Sequence, residues 1–288
     1  MPVMAKAPNA SRNHEDRSDD RPFPFLRMNR RPPKPRTRGL TEIRGPYYAP
    51  IGRRLLEDIL ECWSACIDSF KFGGGSFALL PTPRLRELID LCHRFDVTVS
   101  TGGFVEYVLT QGRGAVGQYI DRCKELGFDT IEISAGFITM PTDDMLAIVE
   151  QVRRAGLTAK PEIGIQFGAG GATRPEELEA EGLGDIDAAI AKAKRCIDSG
   201  VKLIMIESEG ITESVKTWRT DVPAKFANAL GLEHVMFEAS DPEVFAWYIK
   251  NFGPDVNLFV DHSQIVQLEA LRCGTWGTKS LWGRVLTY

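Results

Sequence analysis

Short apolar runs recur along this chain, each ending in a Gly, a carboxylate or a Lys and each followed by a stretch with apolar residues at helical spacing. The runs fall at residues 39–43, 67–73, 97–102, 130–134, 157–164, 201–207, 234–238 and 256–261, the first being the faintest. Between them lie windows such as Leu55, Leu56, Ile59, Leu60 and Trp63, or Val116, Tyr119, Ile120 and Cys123, which repeat at the period of an amphipathic helix. Strand alternating with helix eight times predicts an α/β protein, a (β/α)8 TIM barrel spanning residues 39–288. Thr82-Pro83, Asp241-Pro242 and Thr142 or Asp143 mark helix starts, and another helix is expected to begin near Asp185.

Residues 1–38 stand outside this rhythm. They are rich in Arg, Pro, Asn and Asp, lack periodic apolar positions, and predict a disordered basic tail. An organelle-import peptide fits poorly, because Glu15, Asp16, Asp19 and Asp20 interrupt the basic residues. At 288 residues and 43% hydrophobic composition, one barrel and a tail account for the whole chain. The net charge of -4 argues against a general nucleic-acid binder, and no run approaches the roughly 18 apolar residues of a membrane span. A cytoplasmic protein without nucleic-acid or membrane partners is expected. The six cysteines show no C-x-x-C spacing, which favours reduced thiols over a disulfide or zinc role.

Barrel active sites lie at the C-terminal ends of the strands, so the residues there carry the chemical argument. If Glu132, Glu162, Glu207, Glu238 and Asp261 all point inward, five carboxylates share one mouth with Lys71, while Lys160 lies a layer deeper. Such a group must take up protons, pair with cations or bind a metal. Oxygen ligands without His suit Mg²⁺, with Glu207 and Glu238 as first choices and Asp261 next. The expected partner is a small anionic substrate. Arg113 and Arg219, in loops after strands, could grip it, and His262 is either a general acid or a residue bonded to a helix start. The Gly-rich loop after Gly164 reads equally as an anion nest or as a plain linker.

Several segments are recognisable together. Lys71-Phe-Gly-Gly-Gly-Ser76, Thr101-Gly-Gly-Phe104, the stretch 127–136, Glu162-Ile-Gly164, Phe237-Glu-Ala239, Val256-Asn-Leu258 and Leu268-Glu-Ala-Leu-Arg272 resemble the phosphosulfolactate synthase family, in order, from about residue 36 to 275. The resemblance implies a (β/α)8 barrel and Mg²⁺-dependent addition of sulfite to phosphoenolpyruvate, a step of coenzyme M synthesis. By the resemblance Lys71, Glu132, Glu162, Glu207 and Glu238 fall on the family's site positions; together with the strand-end reading, the expected site has Lys71, Glu132 and Glu162 as catalytic groups, Glu207, Glu238 and Asp261 as metal ligands, and Gly102, Gly103, Ser134, Arg113, Arg219, Asn257 and His262 as substrate contacts. A small homo-oligomer is also implied, and an apolar face around Trp276 and Trp282 would mark a subunit contact. Residues 257–264 are closer to the family's plant heat-stress-associated branch. Three positions differ from the synthases: Ile165-Gln166 stands where they carry a Lys pair, Arg44 where they carry an acid, and Glu207-Ser-Glu209 lacks their Arg. A catalytically silent barrel working through protein partners is therefore the alternative reading.

Overall fold

The computed structural model of the chain describes residues 22–45, 51–112, 114–169 and 173–275. Eight strands, β1 (Thr41–Arg44), β2 (Ser69–Phe72), β3 (Thr98–Thr101), β4 (Thr130–Ile133), β5 (Thr158–Ile163), β6 (Ile204–Ile206), β7 (Val235–Glu238) and β8 (Asn257–Asp261), pair in sequence order. β8 returns to β1 in parallel, so the sheet closes. Each strand lies within one of the runs expected to form it, save that Arg44 ends β1 one residue further on. The helices among the described residues are α1 (Arg53–Trp63), α2 (Thr82–Arg94), α3 (Val105–Leu109), α4 (Ala115–Leu126), α5 (Thr142–Arg154), α6 (Pro175–Glu181), α7 (Ile186–Asp198), α8 (Asp221–Leu230), α9 (Pro242–Phe252) and α10 (Ile265–Cys273). No helix among the described residues is long and apolar enough to cross a membrane.

The sequence puts one face of each strand against the helices and the other inside the ring. Ile43, Phe70, Phe72, Ile131, Ile133, Ile204, Ile206, Phe237 and Val260 join Leu56, Leu88, Val149 and Phe245 of the helices in one outer core. Inside the ring, Met205, Met236 and Phe259 form a second apolar group with Leu40 and Leu203. Opposite it, from β1, β2, β4 and β5, the interior is charged: Glu42, Lys71, Glu132 and Lys160 are all buried. Half of the barrel is therefore filled by hydrocarbon and half by ion pairs, a deeper charged layer than strand-end residues alone would give.

The helix starts lie where the sequence puts them, but not every expected cap is made. Asp185 accepts a hydrogen bond from the Ala188 amide at 2.8 Å and caps α7, whereas Asp241 caps α9 without a side-chain bond, and Thr82 and Thr142 are already inside α2 and α5. Pro81 and Pro141 take the flanking positions instead.

The C-terminal part of the expected tail is corrected. Residues 22–38 are described, and from Asn29 onward they lie under the N-terminal ends of the strands rather than free in solvent. Arg36 pairs with Asp68 at 2.9 Å, Arg31 pairs with Glu269 and also donates to the Gly39 carbonyl, and Lys34 donates to the Ser64 and Phe95 carbonyls at 3.1 and 3.4 Å. Composition alone suggested a solvated strap, but buried acids on the barrel give its basic residues partners. Residues 1–21 lie outside the described residues, as do Trp276 and Trp282 of the expected subunit contact.

Candidate active site

At the C-terminal mouth of the ring a cavity of about 410 Å3 is lined by Arg44, Lys71, Glu132, Glu162, Glu207, Glu238 and Phe259, with Gly73, Gly74 and Gly103 at its edge. The strand period places them there. Glu42 and Arg44, Ser69 and Lys71, Lys160 and Glu162, and Met236 and Glu238 are successive inward positions of their strands, so each of these rim residues has a second inward side chain one layer below it.

The buried charges form a chain. Lys71 lies 2.6 Å from Glu132 and 3.5 Å from Glu162, and its ammonium rests 4.1 Å from the centre of the Phe259 ring. Lys160 bridges the second oxygen of Glu132 at 3.2 Å and, across the barrel, Glu42, which also accepts from the Ser69 hydroxyl at 2.9 Å. Arg44 pairs with Glu238 at 2.6 Å. Glu162, Glu207 and Glu238 each offer an oxygen, and these lie within 4.8 Å of one another.

Five carboxylates (Glu42, Glu132, Glu162, Glu207, Glu238) thus share three cations (Lys71, Lys160, Arg44). The excess negative charge is accommodated unevenly. Burial alone would lower the pKa of Lys71, but Glu132, Glu162, Glu238 and Glu42 more than offset it and hold the ammonium charged. Burial would raise Glu132, and Lys71 and Lys160 reverse this and keep it ionised. Glu162 is pushed well above the usual carboxylate range by burial and by Glu132. Glu207 is pushed up to about 8 by burial, with Glu238 and Glu209 adding to the rise. Glu238 is also raised by burial, in spite of Arg44 and Lys71. The three acids whose oxygens converge are the three that burial raises, Glu238 in spite of its bond to Arg44, and a divalent cation would favour the ionised form of those that ligate it.

Other expected site residues lie elsewhere. Asp261 is not with the three acids: it turns at the end of β8 to accept from the Ser263 amide and hydroxyl at 2.9 and 2.6 Å, capping the turn before α10. Asn257 is fully buried at the opposite end of β8, where it accepts from the Leu40 amide and donates to the Leu232 and Val235 carbonyls. It has the inward orientation but lies four residues below the rim, roughly 13 Å at the rise of a strand. Arg219 pairs with its neighbour Asp221 at 2.9 Å on the exterior. His262 donates from Nδ1 to the Arg44 carbonyl at 3.2 Å and so braces the end of β1. Arg113 lies outside the described residues.

Gly103 and Ser134 do line the cavity, and a Cβ on Gly103 would fall 2.6 Å from the Ser134 hydroxyl. Gly102 has a different task. A Cβ there would lie 2.5 Å from the Phe72 carbonyl oxygen and the Gly74 amide nitrogen, so its hydrogen lets the ends of β2 and β3 approach.

Glu42, Arg44 and Glu106, as well as Glu209 and Glu213 of the cavity wall, carried no expectation as site residues. Glu42 sits in the faintest strand, yet a buried Lys160 needs just such a partner, and that was the available signal. Arg44 was visible only as a departure from the family pattern. Glu106, on the short helix α3, accepts from the Ser134 hydroxyl and from the amides of Gly136, Phe137 and Ile138 at 2.7–3.0 Å, and no pattern marked it. Gln166, standing where a Lys was expected, turns away from the mouth and donates to the carbonyls of Phe167, Leu178 and Gly182.

The family model of (2R)-phospho-3-sulfolactate synthase (ComA) matches residues 29–278. Protein HEAT-STRESS-ASSOCIATED 32 of Arabidopsis thaliana is 40% identical over 252 residues, covering 84% of this chain and 88% of that one. Phosphosulfolactate synthase of Methanothermobacter thermautotrophicus is 25% identical over 251 residues, covering 85% and 92%. Among solved structures, the carboxyl transferase domain of Rhizobium etli pyruvate carboxylase with 3-bromopyruvate superposes with a TM-score of 0.54 at 12% identity, covering 78% of this chain and 40% of that one, a likeness of fold alone.

Proposed function

The chain belongs to the phosphosulfolactate synthase family, and from that premise we propose that it is a Mg²⁺-dependent lyase adding sulfite or a related nucleophile to phosphoenolpyruvate or a similar small acid. The observation that carries this reading is the convergence of Glu162, Glu207 and Glu238 beside the Lys71–Glu132 pair at the barrel mouth. A buried three-oxygen corner of carboxylates is chemically suited to a hard cation. Glu207 and Glu238 would hold it, leaving Glu162, the third acid of the corner, for acid–base work. Bound there, the cation would supply positive charge where the substrate's carboxylate gains negative charge.

The protein's own groups account for the rest. In the addition, the sulfite lone pair forms a carbon–sulfur bond at the methylene carbon, the double-bond electrons move toward the carboxylate, and the adjacent carbon then takes a proton. Lys71, held charged by its acidic neighbours, attracts the anionic substrate and donates hydrogen bonds to it, but so firmly charged an ammonium is a poor acid. Glu162, whose carboxyl burial and Glu132 push well above the usual range, lies 3.5 Å from the Lys71 nitrogen and is the proton source this chain offers in place of the missing Lys. Phe259 beneath Lys71 and the apolar group behind it keep the floor of the mouth dry.

The test is a panel of phosphoenolpyruvate and related acids with sulfite, with and without Mg²⁺, followed by mass analysis of products. A Mg²⁺-dependent adduct is expected from the native chain and at least 100-fold less, order of magnitude, from Lys71→Ala. No adduct with any acid, together with no Mg²⁺ binding, would remove the enzymatic reading. One observation favours the alternative, a barrel acting through protein partners: Gln166 serves the loop rather than the mouth. A Lys71→Ala chain that keeps full function in cells would decide for it.

A further inference from the structure

Arg44 shares Glu238 with the three-acid corner, and that sharing has a functional consequence resting on the cation-dependent reading above. Arg44 closes β1 and extends into the cavity beside Lys71. Both cations lie over one aromatic ring: the Arg44 guanidinium carbon is 5.1 Å and the Lys71 nitrogen 4.1 Å from the centre of Phe259. The ring favours cations and excludes water from beneath them. Arg44 is bonded to Glu238 at 2.6 Å, and Glu238 is also one of the three acids whose oxygens lie within 4.8 Å. One carboxylate therefore faces a guanidinium on one side and a candidate cation corner on the other.

The charge of Glu238 cannot serve both fully. A divalent ion at the corner would draw on the same carboxylate, and a buried guanidinium whose carboxylate is drawn away needs another anion. We infer that Arg44 is the substrate's carboxylate receiver, occupied by Glu238 in the cation-free protein and handed to the substrate when a divalent cation engages Glu238. Glu238 then stands in for the ligand: what Arg44 holds now is a carboxylate, and a planar fork suits one. Lys71, a point charge on the same ring, is left for the substrate's second anionic group. Glu209 and Glu213, which also line the cavity, would repel an acid bound on their side and leave the Phe259 side as its seat. Cation and acid should bind cooperatively, each lowering the cost of the other.

Isothermal titration separates the possibilities. Mg²⁺ is titrated alone, then phosphoenolpyruvate and inorganic phosphate are each titrated with and without Mg²⁺, into the native chain, Arg44→Lys and Arg44→Met. In the native chain Mg²⁺ should tighten phosphoenolpyruvate about tenfold, within the usual range of coupling between sites, and inorganic phosphate, which has no carboxylate, much less. Arg44→Met should still bind Mg²⁺, because Glu238 is freed, but show a coupling near unity. Arg44→Lys, which keeps the charge and loses the fork, should fall between. Equal coupling in the native chain and Arg44→Met would overturn the role of Arg44 while leaving the cation site standing. Equal coupling for phosphate and phosphoenolpyruvate would overturn the carboxylate assignment. Absence of Mg²⁺ binding in the native chain would remove the cation reading and this inference with it.

Discussion

At the scale of single residues, the decisive fact is that acids of one type titrate in opposite directions within a few ångströms. Glu132 is held low by two lysines, and Glu207 is pushed up to about 8 by burial and by the acids beside it. The sign follows. A carboxyl whose folded pKa is raised binds more protons folded than unfolded, so its contribution is present below the ordinary carboxylate range near 4.5 and is lost as pH rises toward 8. In chelator, the melting temperature of the native chain should therefore decline between pH 5 and 8, and Glu207→Gln should flatten that decline. Mg²⁺ binding at pH 7 should release roughly one proton, since the ligand form of Glu207 is ionised. Titrations in two buffers of different ionisation enthalpy read that number directly, and no proton release would mean that Glu207 is not a ligand.

At the scale of elements, the mouth depends on loops that no periodicity could reveal. The strands were legible because parallel strands buried on both faces read as apolar runs, and Lys71, Glu132, Glu162, Glu207 and Glu238 were legible because each ends such a run or stands two residues before its end, with inward parity. Parity does not report depth or turning, which is why Asn257 lies too low and Asp261 turns into a cap. Nor does it reach the βα-loops, where α3 delivers Glu106. That carboxylate gathers one hydroxyl and three amides of residues 134–138 and so fixes the loop carrying Ser134 and Phe137 into the cavity wall. Glu106→Gln leaves one acceptor where there were two, and a loss of about 2–3 kcal/mol is expected from the charged hydrogen bonds involved. Urea unfolding measures the loss, and hydrogen exchange should show the amides of Gly136, Phe137 and Ile138 losing protection before those of β4. Unchanged protection there would show that the loop is held by packing alone.

At the scale of the whole molecule, the two ends of the barrel hold ionic groups of opposite purpose. The top gathers acids in excess, while the bottom is sealed by a basic strap: Arg31 on Glu269, Arg36 on Asp68, and Asn29 bonded to the Cys273 and Arg272 carbonyls at 2.9 Å. Arg272 is itself fully enclosed, donating to the carbonyls of Pro254, Val256 and Leu40, and burial pushes its guanidinium down to about 9. Removing one partner of such a pair leaves a buried charge alone, at a cost of about 3–5 kcal/mol. Arg36→Ala should lower the melting temperature by several degrees at pH 7. The loss should shrink toward pH 5, because the stranded Asp68, already raised by burial, can take up a proton. The strap lies at the far end of the strands from Lys71, so the same variant, studied below its melting point, should bind Mg²⁺ with native affinity. If Arg36→Ala instead weakens Mg²⁺ binding while the fold persists, the ends of the barrel are coupled through the Glu42–Lys160–Glu132 chain that runs up its interior. In that case the buried ion pairs transmit strain between strap and site, and the separation between a stabilising bottom and a reactive top fails.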